Sequence, residues 1–163
     1  MAESEFLQRV ETEISLAASG VFRTLLAEEV EIRRNLNLFS DAAFDYCATI
    51  QFADASGRGL LRLGFTSATL LRVTNALLGE TAEAISDSNR DAVAEILNML
   101  YGSARARLNA AGHEFIPAIP TLERAPGSLL DQDWPRSLSL ELCTSHGSFS
   151  LLIATRVRER SAA

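Results

Sequence analysis

Lysine is absent from this sequence: all fifteen basic residues are arginine. A Schiff-base lysine or a phosphate-loop lysine supplied by this chain is thereby excluded. Cysteine is scarce, with Cys47 and Cys143 far apart in apolar, strand-like runs. Two such thiols fit reduced, buried side chains better than a disulfide framework. No apolar run approaches the roughly 20 residues that span a bilayer, so no membrane insertion is expected. The start, Met1-Ala2-Glu3-Ser4-Glu5, is acidic and lacks the basic start and apolar core of a secretion signal. The default expectation is a cytoplasmic protein. Repeats, low-complexity linkers, a Gly-x-Ser-x-Gly elbow and a Walker loop are all missing. The formal charge of -6 disfavours nucleic-acid binding, which relies on basic surface against phosphates. Arg156, Arg158 and Arg160 alternate near the C-terminus, either as a small basic strip or as the solvated end of a strand.

What remains is a globular composition. Of 163 residues, 47% are hydrophobic, enough for one domain over 1–163 with a real core. Phe6, Val10, Ile14, Ala17, Val21 and Leu25 recur at steps of three and four, predicting a long helix over about residues 5–34 that Gly20 interrupts. Residues 46–52 and 59–65 read as strands joined by the turn Ala53-Asp54-Ala55-Ser56-Gly57. Ser67 then caps a short helix through Leu78, stopped by Gly79. After a polar connection over 81–87, the strongest helix is expected over 88–111. Ser88 and Asp91 have capping-box spacing there, and Gly112 ends it. Residues 114–120 and 121–124 look extended, limited by prolines. Residues 125–135 form a loop, and 137–143 with 149–155 a last hairpin turning at Ser145-His146-Gly147. The order predicts an α+β fold: an antiparallel sheet with long helices packed on one face.

The helix over 88–111 carries the chemistry. At about 100° per residue, Val93, Ile96, Leu97, Leu100, Ala104 and Leu108 fall on one side. Asp91, Glu95, Asn98 and Gly102 share the opposite side at steps of four, three and four. Glycine costs about 1 kcal/mol relative to alanine inside a helix, so helix stability gives no reason for Gly102. An outward glycine does let another protein approach the backbone. An amide beside a carboxylate, openly approachable, suits the handling of a water molecule in hydrolysis. Glu-x-x-Asn also occurs on ordinary solvated helix faces, and the spacing alone carries both readings. Cys143 and His146 have a Cys-x-x-His spacing, but zinc would need Cys47 and His113 as well, and a hairpin turn explains His146-Gly147 more simply. Trp134 is either a core plug or an interface anchor.

The stretch from Asp91 to Arg105, with Glu95-Ile-Leu-Asn98-Met99 and Gly102-Ser-Ala-Arg105, resembles the signature helix of the CheX-type chemotaxis phosphatases. Other pieces follow in the family's order: residues 18–25, Gly57 to Phe65, Ala76-Leu-Leu-Gly79 and Ile119-Pro120-Thr121. The resemblance covers about residues 6–155. It implies a CheC-like fold and a phosphatase acting on the aspartyl phosphate of a CheY-like response regulator. It further implies that Asn98 orients the attacking water and that Glu95 pairs with the regulator's lysine. Asp91, Gly102 and Arg105 would contact the partner, although Asp91 is equally placed to cap the helix. The regulator would supply Mg²⁺, and no cofactor of this chain's own is expected. Arg105 and Ser103 depart from the lysine and asparagine common in the family, which bears on partner choice. The first helix lacks the second Glu-x-x-Asn of the CheC type. A homodimer through sheet edges is also implied. The competing functions are a catalytically silent module that docks on a regulator, and a structural component like the related flagellar switch domains.

Overall fold

The computed structural model describes residues 2–35, 44–124 and 134–158. Helix α1 spans Glu3–Leu26, followed by strand β1, Glu31–Asn35. Strands β2 (Tyr46–Ala53) and β3 (Gly57–Phe65) precede helices α2 (Ser67–Leu78) and α3 (Asp87–Ala110). Strands β4 (Thr121–Arg124), β5 (Arg136–Thr144) and β6 (Gly147–Val157) complete the order. One antiparallel sheet results, ordered β1-β5-β6-β3-β2-β4. Both expected hairpins form, and pairing of β3 with β6 joins them.

All three helices bury their apolar stripes against one face of the sheet. Phe6, Val10, Ile14 and Phe22 of α1 share a core with Ile50 of β2, Leu61 and Leu63 of β3, Leu151 and Ile153 of β6, and Leu97 and Leu100 of α3. The other face carries a smaller apolar group: Cys47, Leu60, Leu152 and Ala154, with Phe44 and Trp134 packed on it. Arg62 is buried on that face and reaches across β2 to Glu123 at 3.1 Å, tying the edge strand β4 to the sheet.

The expected first helix was too long. It ends at Leu26, where Ala27 takes the left-handed conformation (φ 53°), and residues 31–35 become an edge strand beside β5. Val30 and Ile32 sit two residues apart, a strand period that the charged surroundings obscured. Gly20 does not break α1; it lies on the exposed side, where an added Cβ would meet nothing within 4 Å. The cap of α2 is Thr66 rather than Ser67: its hydroxyl accepts from the Thr69 amide at 3.3 Å. Residues 114–120 join no strand. Pro117 and Pro120 have no N–H to give a ladder, and both backbone groups of Phe115 are bound to a side chain of α3. Most of the expected 125–135 loop, residues 125–133, lies outside the described residues.

The start of α3 also differs. Its cap is Ser86, and the capping box closes with Asn89, not between Ser88 and Asp91. Asn89 is fully buried. Its Oδ1 accepts from the Ser86 amide and hydroxyl, both at 2.8 Å, while its Nδ2 donates to Thr74 Oγ1 of α2 at 2.8 Å. One side chain thus caps α3 and welds it to α2. Asn89→Ala should cost about 2 kcal/mol, summing a lost cap and orphaned partners in the core. A fall in Tm of roughly 4–8 °C by thermal unfolding checks this.

Candidate functional site

The row read from the sequence is present on α3. Asp91, Glu95 and Asn98 are exposed and Gly102 is half-buried, while Val93, Ile96, Leu97, Leu100, Ala104 and Leu108 are buried beneath them. Among the described residues, neither Glu95 nor Asn98 makes a hydrogen bond or ion pair. Other surface carboxylates are engaged: Glu29 with Arg23, Glu31 with Arg33, Glu11 with Arg34 and Asp87 with Arg90. The amide and acid of the row therefore point outward with nothing of the described chain holding them. Since Ser86 and Asn89 do the capping, Asp91 is an exposed surface acid, which removes the capping alternative for it.

The C-terminal half of α3 is held as firmly as its start. Asn109 brackets Phe115, donating to its carbonyl and accepting from its amide, both at 2.9 Å. The Tyr101 hydroxyl donates to the Ile116 carbonyl at 2.6 Å. Burial pushes that phenol up to about 12, against the opposing pull of the nearby Arg105 charge, so it stays a donor at any physiological pH. Phe52 of β2 meets both Tyr101 (5.4 Å) and Phe115 (5.1 Å, edge-on). Its ring occupies the space over Gly59, where a Cβ would come within 2.1 Å of it. Arg105 is half-buried, with an Nε that is buried and finds no partner among the described residues.

The segment after α3 adds what the sequence reading missed. Ile116 and Ile119 are 69% and 89% exposed, on a stretch that Tyr101 and Asn109 tie to α3. Ile116 and Ile119 leave apolar surface exposed on the segment that follows α3. The signal was the short apolar run broken by Pro117 and Pro120, which read only as an interrupted strand.

The remaining candidates separate. Cys47 and Cys143 are both free thiols. They lie on β2 and β5, three strand steps and roughly 14 Å apart across the sheet. His113 is buried under the helices, its Nδ1 2.8 Å from Asp54 Oδ2 and its ring stacked on Phe115, whereas His146 occupies the β5–β6 turn. Among the described residues, no group of three or more His, Cys, Asp or Glu is placed to hold a metal. Trp134 packs on the sheet face opposite the helices, with the Arg58 guanidinium over its ring. No described helix is long and apolar enough to cross a membrane.

A six-stranded antiparallel sheet backed on one face by three helices is the fold of the CheC-like proteins. The most similar solved structures include a CheC-like superfamily protein from Shewanella sp. PV-4, at 22% identity and TM-score 0.77, covering 91% of this chain and 97% of that one. CheX from Vibrio vulnificus matches at 20% identity and TM-score 0.76, covering 90% and 96%. The CheX-CheY-BeF3-Mg²⁺ complex from Borrelia burgdorferi matches at 18% identity and TM-score 0.72, covering 91% and 97%. No curated protein matches by sequence. The family model for the chemotaxis phosphatase CheX matches residues 46–130, from β2 past β4 and including all of α3. This chain belongs to the CheX family.

Gly102 offers a test of what the fold itself requires on this face. An added Cβ there meets nothing within 4 Å, so this chain's own packing does not need a glycine. Gly102→Ala should stabilise the fold by about 1 kcal/mol through helix propensity alone, raising Tm by roughly 2–4 °C. Thermal unfolding checks this.

Proposed function

We propose that this protein hydrolyses the aspartyl phosphate of a CheY-like response regulator. The observation that carries the reading is the joint exposure of Glu95 and Asn98 on a helix anchored at both ends. Membership of the chemotaxis phosphatase family supports it, as does the Borrelia relative, which was solved with CheY, BeF3 and Mg²⁺. Asn98 enters the regulator's phosphorylated pocket, and its amide aligns a water molecule against phosphorus. The P–O bond to the aspartate breaks, the carboxylate leaves, and inorganic phosphate is released. Glu95 forms an ion pair with a lysine of the regulator. Asp91, Gly102 and Arg105 lie along the same helix as contacts for that partner, with Gly102 admitting its backbone. Mg²⁺ belongs to the regulator's site. Positioning and charge placement supply the rate, as in other phosphoryl transfers.

Release of phosphate from a loaded regulator tests this. Asn98→Ala should slow the enzyme-dependent release by roughly a hundredfold, the scale of losing one positioning group, while the two proteins still bind. Glu95→Ala should act mainly by weakening the complex. Equal release by wild type and Asn98→Ala, with binding intact, is the outcome expected of a silent docking module, and it would overturn the catalytic reading.

The family resemblance also motivates a homodimer through a sheet edge, with β1 and β4 as the two edges available. Sedimentation velocity should show a dimer at micromolar concentration. Monomer mass throughout would sink that proposal.

A further inference from the structure

Beyond α3 the chain runs Ile116-Pro117-Ala118-Ile119-Pro120, five residues without a polar side chain, of which Ile116 is 69% and Ile119 89% exposed. We propose that Ile116 and Ile119 form an apolar lip beside Asn98 that packs on apolar side chains bordering the phosphorylated pocket of the CheY-like regulator. The proposal rests on the phosphatase reading and adds a contact that sets how tightly the regulator is held.

The helical period places the lip. Asn109 is eleven residues past Asn98 and returns to within about 20° of its bearing around α3. Asn109 brackets the backbone of Phe115, donating to its carbonyl and accepting from its amide. The chain leaving α3 therefore folds over the bearing of the row at the C-terminal end. Arg105, about 20° to the other side of Asn98, is half-buried there with a buried Nε. Asp91, Glu95 and Asn98, nearer the N-terminal end, are exposed. One residue beyond Phe115, the Ile116 carbonyl accepts from the Tyr101 hydroxyl at 2.6 Å. Tyr101 lies eight residues before Asn109, so the segment is travelling back along α3 toward Asn98. Tyr101 is three residues from Asn98, a step of about 5 Å along and around the helix. The Phe115 ring is buried against Phe52, while Ile116, next in the chain, faces out.

Size decides what covers the lip. A stable protein interface buries roughly 800 Å² on each partner, a disc about 16 Å in radius. Centred on Asn98, that disc includes Ile116, which is separated from it by less than one helical turn and one tyrosine side chain. Ile119 follows within about 10 Å of chain. A regulator that takes Asn98 into its pocket meets these residues. Single exposed apolar side chains are ordinary, but an unbroken apolar stretch in the path of a partner is a contact. Two prolines fix φ along it, so covering it costs little conformational freedom. A second copy of this chain is the weaker occupant. Pro117 and Pro120 have no N–H to offer, so edge pairing along β4 stops at Thr121 and cannot extend through the lip.

Affinity for a CheY-like regulator loaded with BeF3 and Mg²⁺, measured beside steady-state phosphate release, tests the proposal. Ile116→Ser and Ile119→Ser should each weaken binding about tenfold and raise KM, with kcat unchanged. Ile116→Val keeps most of the apolar surface and should bind at most about fourfold more weakly than wild type. Both isoleucines are exposed, so the variants should fold, and an unchanged Tm checks this. If wild type binds and dephosphorylates the regulator, and both folded serine variants match its affinity, the lip is overturned and the phosphatase reading stands. A loss of kcat at unchanged KM would overturn the lip as well. So would serine variants that turn a dimer into a monomer yet bind the regulator normally, since the surface would then lie between copies. A wild type that engages no loaded regulator would remove both readings together.

Discussion

The buried hydrogen bond between Asn89 and Thr74 is the constraint on which the presentation of α3 depends. A side chain on the outside of a helix is only as well placed as the helix itself. Asn89 closes the cap at Ser86 and binds α2 in the same stroke. About three turns later Tyr101, and between five and six turns later Asn109, clamp the following segment against the helix. Phe52, seated over Gly59, carries that end onto the sheet. Between the clamps, Glu95 and Asn98 can remain unpaired because the helix needs nothing from them. Unsatisfied polar groups at the surface cost little, since water meets them.

The division of labour between the sheet faces follows from the same economy of contacts. The helix side carries the continuous apolar core. The other side holds a small apolar group, a buried arginine bound to Glu123, and an arginine over Trp134. With no lysine available, every permanently charged basic side chain in the sequence is a planar fork of five donors. Such a group can be buried beside a carboxylate or an aromatic ring more readily than a strongly hydrated ammonium. Arg62 and Arg58 both use that property.

The outward row on α3, the candidate site, was legible because it is local. Asp91, Glu95, Asn98 and Gly102 share a face by helical period alone, whatever surrounds the helix. The errors lie where period and neighbourhood conflict. Residues 31–35 look helical beside a long helix, yet they are a strand because β5 offers an edge to pair with. Asp91 looked like part of a capping box, but Asn89 won that role because Thr74 stands beside it in space. Ile116 and Ile119 read as part of a broken strand, and only the bond from Tyr101 to Ile116 shows that they flank α3.

By itself, then, the sequence determined most of the elements, though not β1, together with the α+β class and the outward row on α3, since hydrophobic periodicity encodes which side of each element is buried. Tertiary structure alone decided which strands meet and what holds α3 in place. Those outcomes depend on contacts between residues distant in the chain, such as Arg58 with Arg156 and Thr74 with Asn89, and no local pattern records such distances.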